Sequence, residues 1–189
     1  MKRIIILIML VLSVIALAEN RKVFGFTVGM TIEDVKEKFG EDNVKKARKG
    51  IYTVDLNNIN NMEYALIILH NNKICKVAIY GDSQFTNKYG DQLKTEYEEI
   101  HTILVKKYGN PEDHNFLKSG SYWDEPQDFI MALSKKERYL SSYWVLEDVS
   151  IALGVDILSA ESFQLYIAYE FKEFYKYLEE LKKIQNDMF

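Results

Sequence analysis

The chain of 189 residues contains a single cysteine, Cys75, so no disulfide bond can form within one chain. Cys75 lies in the strand-like segment 74–80, where alternation places it on one face with Val77 and Ile79. We therefore predict that Cys75 is a small buried residue of the core and not a nucleophile. A disulfide between two copies would require this cysteine to be exposed.

Histidine is also scarce, and its spacing excludes the usual metal-binding motifs. None of the three histidines has a second ligand two, three or four positions further along the chain. His70 is expected at the end of a strand and His101 within a helix. His114 stands beside Glu112 and Asp113, but we assign it to a solvated loop. The sequence therefore predicts no metal site, and we expect no cofactor.

Catalytic motifs are missing as well. The chain has no glycine-rich phosphate loop and no Gly-x-Ser-x-Gly elbow. Ser141 and Ser142 have no base near them in the sequence, although partners from distant segments are left open. The adjacent carboxylate pairs on helices are typical of solvated faces. We therefore predict that the protein is not an enzyme.

One carboxylate pair has a suggestive neighbour. Tyr122 and Trp123 precede Asp124 and Glu125, and a tryptophan platform beside carboxylates can hold a sugar or a cationic group. Ordinary turn chemistry explains the same residues. This segment leaves open an alternative in which the protein carries a small ligand or hydrolyses an envelope polymer.

The longest apolar run stands at the N-terminus. Residues 4–12 are apolar, and Ala16 and Ala18 form a small-x-small cleavage site before Glu19. This pattern predicts a secretory signal peptide over residues 1–18. An uncleaved anchor is the alternative, although a membrane span needs ~20 apolar residues. We expect an exported protein, periplasmic or extracellular, with no stable membrane span after cleavage.

Positive charge is in the minority. Removal of residues 1–18 takes away Lys2 and Arg3, so that the 24 basic residues become 22 against 28 acidic ones, a net charge of −6. An acidic chain with scattered lysines argues against nucleic acid as a partner. The remaining residues 19–189 suit one globular domain with a sizeable core.

The segment 23–40 begins the first half of the mature chain with a short strand, a turn and a short helix. Thr31 is placed as the N-cap of this helix, which ends before Gly40. Asp34 occupies the position where a capping box prefers Glu or Gln, so the box is expected to be imperfect. A polar, lysine-rich connector over residues 41–50 leads into a three-stranded meander. Its strands are predicted over residues 51–56, 62–69 and 74–80, with turns at 57–61 and at 71–72.

The second half has a similar order of elements. A helix is predicted to begin between Asn87 and Asp91 and to end at Tyr108. Residues 112–127 indicate a loop or a short edge strand, and residues 128–139 favour a short helix. An amphipathic tail helix is expected to pack on the sheet, with docking to a partner as the alternative. Three strands are predicted over residues 139–146, 149–153 and 163–169, and the tail helix over residues 171–185.

Together these elements predict an α+β fold of two modules, about 23–81 and 86–170, each a helix followed by an antiparallel meander. The residues themselves barely repeat between the modules, so the repeat is expected in the structure only. The C-terminal amphipathic helix completes the architecture.

The turn at residues 29–31, Gly-Met-Thr, followed by Val35 and Gly40, resembles a helix start in small bacterial envelope proteins. These are the outer-membrane assembly lipoproteins and the beta-lactamase-inhibitor-like proteins. The Lys-Tyr-Gly-Asn-Pro exit at residues 107–111 resembles the Gly-x-Pro pattern of that group, whereas residues 41–42 are acidic where proline is expected. No cysteine stands near the cleavage site, so the acylated-lipoprotein route is closed. The resemblance implies repeated helix-and-sheet modules whose exposed sheet face grips protein partners.

Aromatic residues are abundant, with 13 tyrosines, 10 phenylalanines and 2 tryptophans. On alternating strand positions they face either the core or one exposed face, and binding faces are enriched in tyrosine and tryptophan. We therefore predict an exported, non-catalytic module that binds a protein or envelope partner through a sheet face; a scaffold factor without a discrete site is a further possibility. The candidates for an exposed aromatic patch are Tyr52, Tyr64, Tyr80, Tyr143, Trp144 and Tyr166. The candidate binding residues are Tyr122, Trp123, Asp124, Tyr143, Trp144 and Tyr166.

Overall fold

A computed structural model describes residues 22–59 and 62–186 of the chain. The predicted signal peptide, residues 1–18, lies outside the described residues. No helix within these two ranges is both long and apolar enough to cross a membrane.

The first half of the chain contains a small hairpin, one helix and four longer strands. The helix α1 is followed by one turn of 3-10 helix at Glu41–Asn43. The elements are β1 (Lys22–Val23), β2 (Phe26–Thr27), α1 (Ile32–Phe39), β3 (Val44–Arg48), β4 (Ile51–Ile59), β5 (Met62–His70) and β6 (Lys73–Gly81).

The second half adds a two-residue strand, a longer helix, a short helix, four further long strands and the C-terminal helix. A turn of 3-10 helix at Pro126–Asp128 precedes the short helix. The elements are β7 (Gln84–Phe85), α2 (Asp91–Tyr108), β8 (Glu112–Leu117), α3 (Phe129–Ser134), β9 (Arg138–Val145), β10 (Val149–Ser159), β11 (Ser162–Phe171) and α4 (Lys172–Asn186).

All strands from β3 onward join one antiparallel sheet in the order β3-β4-β5-β6-β11-β10-β9-β8, with the short β7 paired to β11. Each half contributes a four-stranded meander, and the last strand of one meander pairs with the last strand of the other. The join runs from Tyr80 opposite Tyr166 to Lys76 opposite Glu170. The predicted α+β fold with two helix-plus-meander modules is therefore confirmed.

The meanders have four strands and not the predicted three. The polar connector 41–50 contains β3, in which Val44 alone is buried and the four residues after it are exposed. Residues 112–117 form β8. The sequence left open whether this segment is a loop or an edge strand, and the structure shows an edge strand. Both strands lie at sheet edges, where only one side is paired. This explains why neither carries a strong apolar pattern.

The cap of α1 is complete. The Thr31 hydroxyl accepts the Asp34 N–H at 3.2 Å, and the Thr31 N–H donates to the Asp34 carboxylate at 2.8 Å. The Thr31 N–H and, at 3.0 Å, the Thr31 hydroxyl both donate to the Asp34 carboxylate, and these two bonds lower the pKa of Asp34. Aspartate therefore closes the capping box here, contrary to the imperfect box expected from the sequence.

One face of the sheet forms the hydrophobic core together with α1, α2 and α3. Alternate positions of the central strands point to this face, and Ile67, Ile79 and Leu153 are at most 1% exposed. The helices contribute Val35, Leu93 and Ile130 to the same cluster, among others. We call this side of the sheet the core face.

A chain of polar contacts, buried at Tyr97 and Ser142 and exposed at Asp113, attaches α2 to the edge of the sheet. Tyr97 of α2 lies 2.6 Å from the Ser142 hydroxyl, which donates to Asp113 at 2.5 Å. Because the Ser142 proton is used on the carboxylate, Tyr97 is the donor in the first bond. His101, one turn further along α2, contacts the same carboxylate at 3.1 Å. These contacts join α2 to both β9 and β8.

The C-terminal helix α4 lies on the opposite face of the sheet. Phe174 is buried and stacks under the Lys76 ammonium, 4.8 Å from the ring centroid, and Lys76 also pairs with Glu170 at 2.6 Å. Tyr175 shares a 2.8 Å hydrogen bond with Ser150. The tail helix therefore packs on the sheet, as the sequence predicted. It contacts β5, β6 and β11.

Candidate functional site

A row of tyrosines crosses the face of the sheet that carries α4. The strand registers place Tyr64 opposite Tyr80, Tyr80 opposite Tyr166, and Tyr166 opposite Gly154. Directly opposite residues of an antiparallel pair share one face. Four neighbouring strands thus align these positions. We call Tyr64, Tyr80 and Tyr166 the tyrosine row, and this side of the sheet the open face.

The rings of the tyrosine row contact one another. Tyr64 and Tyr80 stack with centroids 4.7 Å apart and planes 10° from parallel. Tyr80 and Tyr166 are 5.5 Å apart and tilted by 39°. A Cβ built on Gly154 would lie 2.5 Å from both the Cζ and the hydroxyl oxygen of Tyr166. The tip of Tyr166 therefore lies directly over the Gly154 backbone, a position that only glycine permits.

A carboxylate stands beside this row. Asp156 is on β10, two positions after Gly154 and therefore on the same face, and it lies opposite Gln164. Asp156 is exposed, yet partial desolvation by its neighbours raises the pKa of its carboxyl, while Lys136 opposes that rise. Burial, with the negative charge of Asp156 as a further cause, also raises the pKa values of Tyr80 and Tyr166. All these groups therefore share one partly desolvated environment.

Gln164 holds the Tyr64 end of the tyrosine row in place through hydrogen bonds. It is 5% exposed, and its amide nitrogen donates to Glu63 at 2.9 Å and to the Gly81 carbonyl at 2.7 Å. The Tyr64 hydroxyl donates to the Gln164 amide oxygen at 3.4 Å. A buried amide with its donors used in this way holds its geometry. Tyr64 is therefore positioned from the sheet itself.

Two grooves flank Tyr143 on the open face. One of about 570 Å³ lies between β9, β10 and the end of α3. The other, of about 480 Å³, lies between the β8–β9 edge and the start of α4. The first is lined by Tyr139, Tyr143, Gly154, Asp156, Tyr166, Lys136 and Arg138, among others. The second is lined by His114, Phe116, Tyr139, Tyr143, Val145 and Tyr175, among others.

Large apolar side chains remain exposed on this surface. Tyr143 is 42% exposed, and Val145 is 81% exposed. Tyr139 stacks on Phe116 at 4.9 Å, and His114 meets Tyr143 edge-on at 5.3 Å. Contiguous exposed apolar surface of this kind marks interaction sites.

The structure separates the six aromatic candidates into two groups. Tyr64, Tyr80, Tyr143 and Tyr166 lie together on the open face. Trp144 is 2% exposed and donates its ring N–H to the Gly109 carbonyl at 2.7 Å, so it belongs to the core. Tyr52 packs against the hydrophobic cluster on the core face. Trp144, a candidate binding residue from the sequence, is therefore unable to contact a partner on the open face.

The candidates around Trp123 lie away from the open face. Tyr122 is 83% exposed and meets Trp123 edge-on at 5.3 Å. Trp123 lines a depression of about 190 Å³ together with Lys88 and Asp128. Asp124, which was grouped with Trp123, is exposed and does not line it. This depression is smaller than the ~300 Å³ at which ligand pockets begin.

The remaining polar candidates have structural partners. Cys75 is buried and donates to the Ile68 carbonyl at 3.3 Å, and burial raises the pKa of its thiol to about 12, which confirms the predicted core role. His70 contacts Glu180 of α4 at 2.9 Å. His114 lies on strand β8 and not in the expected loop, 3.2 Å from Glu112. The described residues contain no group of three or more metal-ligating side chains.

Sequence reasoning missed Asp156 and Gly154, which complete the site. The only signal for them was register: a glycine and an aspartate at alternate positions of a strand, with the glycine opposite a tyrosine. Register is known only once the pairing of the strands is known. The pairing of β10 with β11 brings Gly154 and Asp156 beside residues of β11, and no local sequence motif marks either position.

Three comparisons with known proteins, against family models, curated proteins and solved structures, find no match to this chain. The resemblance of the Gly-Met-Thr turn to small envelope proteins therefore stays a prediction.

Proposed function

We propose that this protein is an exported, non-catalytic binding module that engages a partner protein through the open face. The tyrosine row carries this proposal, because its half-buried rings lie in contact along the face of the sheet that the first three helices leave uncovered, beside α4. Tyrosines give interfaces a large contact area at little conformational cost, and they are enriched at binding faces. The two grooves beside Tyr143 give a partner's side chains places to enter.

Export is part of the proposal and rests on the N-terminal sequence pattern. The apolar run and the small-x-small site predict cleavage after Ala18. Expression of the full chain in a bacterium should yield a protein outside the cytoplasm whose first residue is Glu19. A full-length protein that stays with the membrane fraction would instead support the anchor.

An envelope capture experiment tests the open face. The immobilised chain, residues 19–189, is incubated with an extract of the native envelope, beside a variant that carries Tyr143→Ser and Val145→Ser. Both replaced residues are exposed, so the fold should survive. Tyr122→Ser is the matched control, because Tyr122 is more exposed than Tyr143 or Val145 and lies elsewhere.

The wild-type chain and the Tyr122→Ser control should retain one protein that the open-face variant loses. Loss with Tyr122→Ser alone would move the function to the Trp123 depression and favour the ligand-carrier or hydrolase alternative. Capture of a polysaccharide in place of a protein would assign the open face to an envelope polymer. Equal capture by all three chains would overturn the proposed site.

A further inference from the structure

The two edges of the large sheet are protected against strand addition to different degrees. β3 carries Lys45, Lys46 and Arg48, and a register shift interrupts its pairing with β4. Edge lysines and irregular pairing are usual devices against the addition of another strand. β8 pairs with β9 without a register shift, contains no lysine, arginine or proline, and has its acidic residues, Glu112 and Asp113, at one end only. The β8 edge is therefore the one that can accept a strand.

Alternate residues of β8 direct their backbone groups away from the sheet. The N–H of Lys118, just after the strand, donates to the Glu137 carbonyl at 2.7 Å. In an antiparallel pair, a hydrogen-bonded residue directs both backbone groups to the neighbouring strand, and the next residue directs both away from it. Asp113, Asn115 and Leu117 therefore present their N–H and C=O groups outward, where no strand of the described ranges pairs with them.

This edge is complementary to itself in antiparallel orientation. When Asn115 lies opposite Asn115 of a second copy, Asp113 lies opposite Leu117, so all three outward-facing residues form hydrogen-bonded pairs. On the open face, the same register sets Glu112 of each copy opposite Lys118 of the other. Opposite charges at directly opposed positions stabilise an antiparallel pair. The two-fold symmetry makes each of these ion pairs occur twice.

The neighbouring registers lack this match. Two of them also keep outward-facing residues opposite one another. One is centred on His114, which then faces its own copy, and it sets Glu112 opposite Phe116. The other is centred on Phe116 and sets Lys118 opposite His114. Both lose the pairs between Glu112 and Lys118, so the charges favour the register centred on Asn115.

The side chains that would meet across the edge are accessible. Glu112 has a side chain that is 76% exposed, and it contacts His114 at 3.2 Å with acceptor capacity to spare. Lys118 is exposed and makes no ion pair within the described residues, although its ammonium lies 5.3 Å from the centroid of the Tyr139 ring. Phe116 is 47% exposed and would lie opposite His114 of the second copy. Pairing therefore also covers apolar surface.

We infer that two copies of this protein form a symmetric dimer in which their β8 strands pair antiparallel, with Asn115 at the two-fold axis. Because directly opposite residues share a face, the open faces of both copies lie on the same side of the joined sheet. The groove of about 480 Å³ is lined in part by Glu112 and Phe116, so the second copy extends it. This inference goes beyond the proposed function and does not depend on it.

Sedimentation equilibrium of residues 19–189 tests the dimer. The wild-type chain should show the mass of two copies and dissociate on dilution. Glu112→Lys and Lys118→Glu each set like charges opposite one another twice, so each should weaken the dimer about tenfold. Lys45→Glu is the matched control, because it makes the same charge change as Lys118→Glu on the opposite edge, and it should leave the dimer unchanged.

A mixture of Glu112→Lys with Lys118→Glu tests the register. In a mixed dimer both pairs again combine opposite charges, so the mixture should dimerise about as tightly as the wild type. Asn115→Pro tests the edge, because it removes an outward N–H that β9 does not use. Proline is tolerated at such edge positions. This variant should be monomeric with an unchanged circular dichroism spectrum.

Four results would overturn the inference. They are a wild-type chain that stays monomeric at about 1 mM, a dimer that survives Asn115→Pro, a mixture no tighter than its single variants, and a mass that grows beyond two copies. The last result would indicate head-to-tail pairing of β3 with β8. The proposed function is judged separately: a dimer that captures no envelope protein leaves this inference intact, and a monomeric chain that captures one leaves the open face as the interface.

Discussion

At the scale of single residues, the candidate site depends on one contact that involves no hydrogen bond. Tyr166 lies over Gly154 because Gly154 has no side chain, and any Cβ at that position would lie 2.5 Å from the tyrosine tip. Gly154 has no need of glycine for its backbone angles, since it is absent from the positive-φ residues. Its identity is therefore explained by Tyr166 alone.

Gly154→Ala should displace Tyr166 and destabilise the fold by about 1 to 3 kcal/mol, the usual range for overpacking. In a chain that already carries Tyr166→Ala, the same change should cost almost nothing. A double-mutant cycle measured by urea denaturation gives the coupling between the two sites. Equal costs in both backgrounds would show that the ring does not occupy this position.

Asp156 should make stability depend on pH in a defined direction. Partial desolvation holds the pKa of the exposed Asp156 carboxyl above its ordinary value of 3.8, so the folded protein binds more protons than the unfolded chain between 3.8 and the raised value. The free energy of unfolding therefore falls as pH rises through that window. Asp156→Asn removes this loss, so the variant should melt at a higher temperature than the wild type at neutral pH.

The difference in melting temperature should shrink as the pH falls through 3.8 and vanish well below it, where Asp156 is protonated in both states. Asp124→Asn, at an exposed loop position, is the control for the change in total charge. A lower melting temperature at neutral pH would contradict the desolvation argument.

At the scale of elements, the attachment of α2 relies on buried polar atoms as well as on apolar packing. Tyr97, Ser142 and Asp113 form a chain from α2 through β9 to β8. Ser142 is 1% exposed, and the Tyr97 hydroxyl, whose pKa burial raises, stays protonated as a donor. Ser142 is held between Tyr97 and Asp113, and His101 contacts Asp113 and not Ser142. This arrangement links α2 structurally to the sheet.

Ser142→Ala should destabilise the protein by about 1 to 3 kcal/mol, because it leaves the Tyr97 hydroxyl buried without its acceptor. Tyr97→Phe should destabilise the protein less, because it removes the buried hydroxyl together with its hydrogen bond to Ser142 and leaves no donor without an acceptor. The double variant should cost less than the two single changes added together, as determined from urea denaturation curves with unchanged slopes. Strict additivity would mean that the two hydroxyls do not interact.

The elements also differ in how well they can be predicted from the sequence. The boundaries of α1 and α2 follow from local signals, a threonine cap at one start and a glycine at each end. The predicted turn at Asn71 and Asn72 is confirmed by positive φ angles of 51° and 61°. Edge strands β3 and β8 are harder to predict, because an edge strand is exposed on one side and needs only a few buried positions.

At the scale of the whole molecule, two meanders become one sheet through β6 and β11. Buried residues from both halves belong to a single hydrophobic cluster. β6 belongs to the first meander and β11 to the second. Their pairing places Ile79 beside Ile167 on the core face and Tyr80 beside Tyr166 on the open face. The same pairing that closes the core therefore also assembles the tyrosine row from both halves.

The two halves should unfold together. Both tryptophans, Trp123 and Trp144, are in the second half, whereas Ile67 is buried in the first. Ile67→Ala should cost about 2 to 5 kcal/mol and should lower the urea midpoint seen by tryptophan fluorescence as much as the one seen by circular dichroism. An unchanged tryptophan midpoint would show that the second half is stable alone.

The sequence by itself determined most of the elements, the α+β class and the burial of Cys75, because capping, turn residues and apolar periodicity act over a few neighbouring positions. Only the tertiary structure decided which tyrosines share a face. Alternation places every second residue of a strand on one side, but which side meets the helices depends on the packing of the whole sheet. For that reason Trp144 is in the core, and Tyr143, its neighbour in the chain, is on the open face with Tyr166 and Asp156.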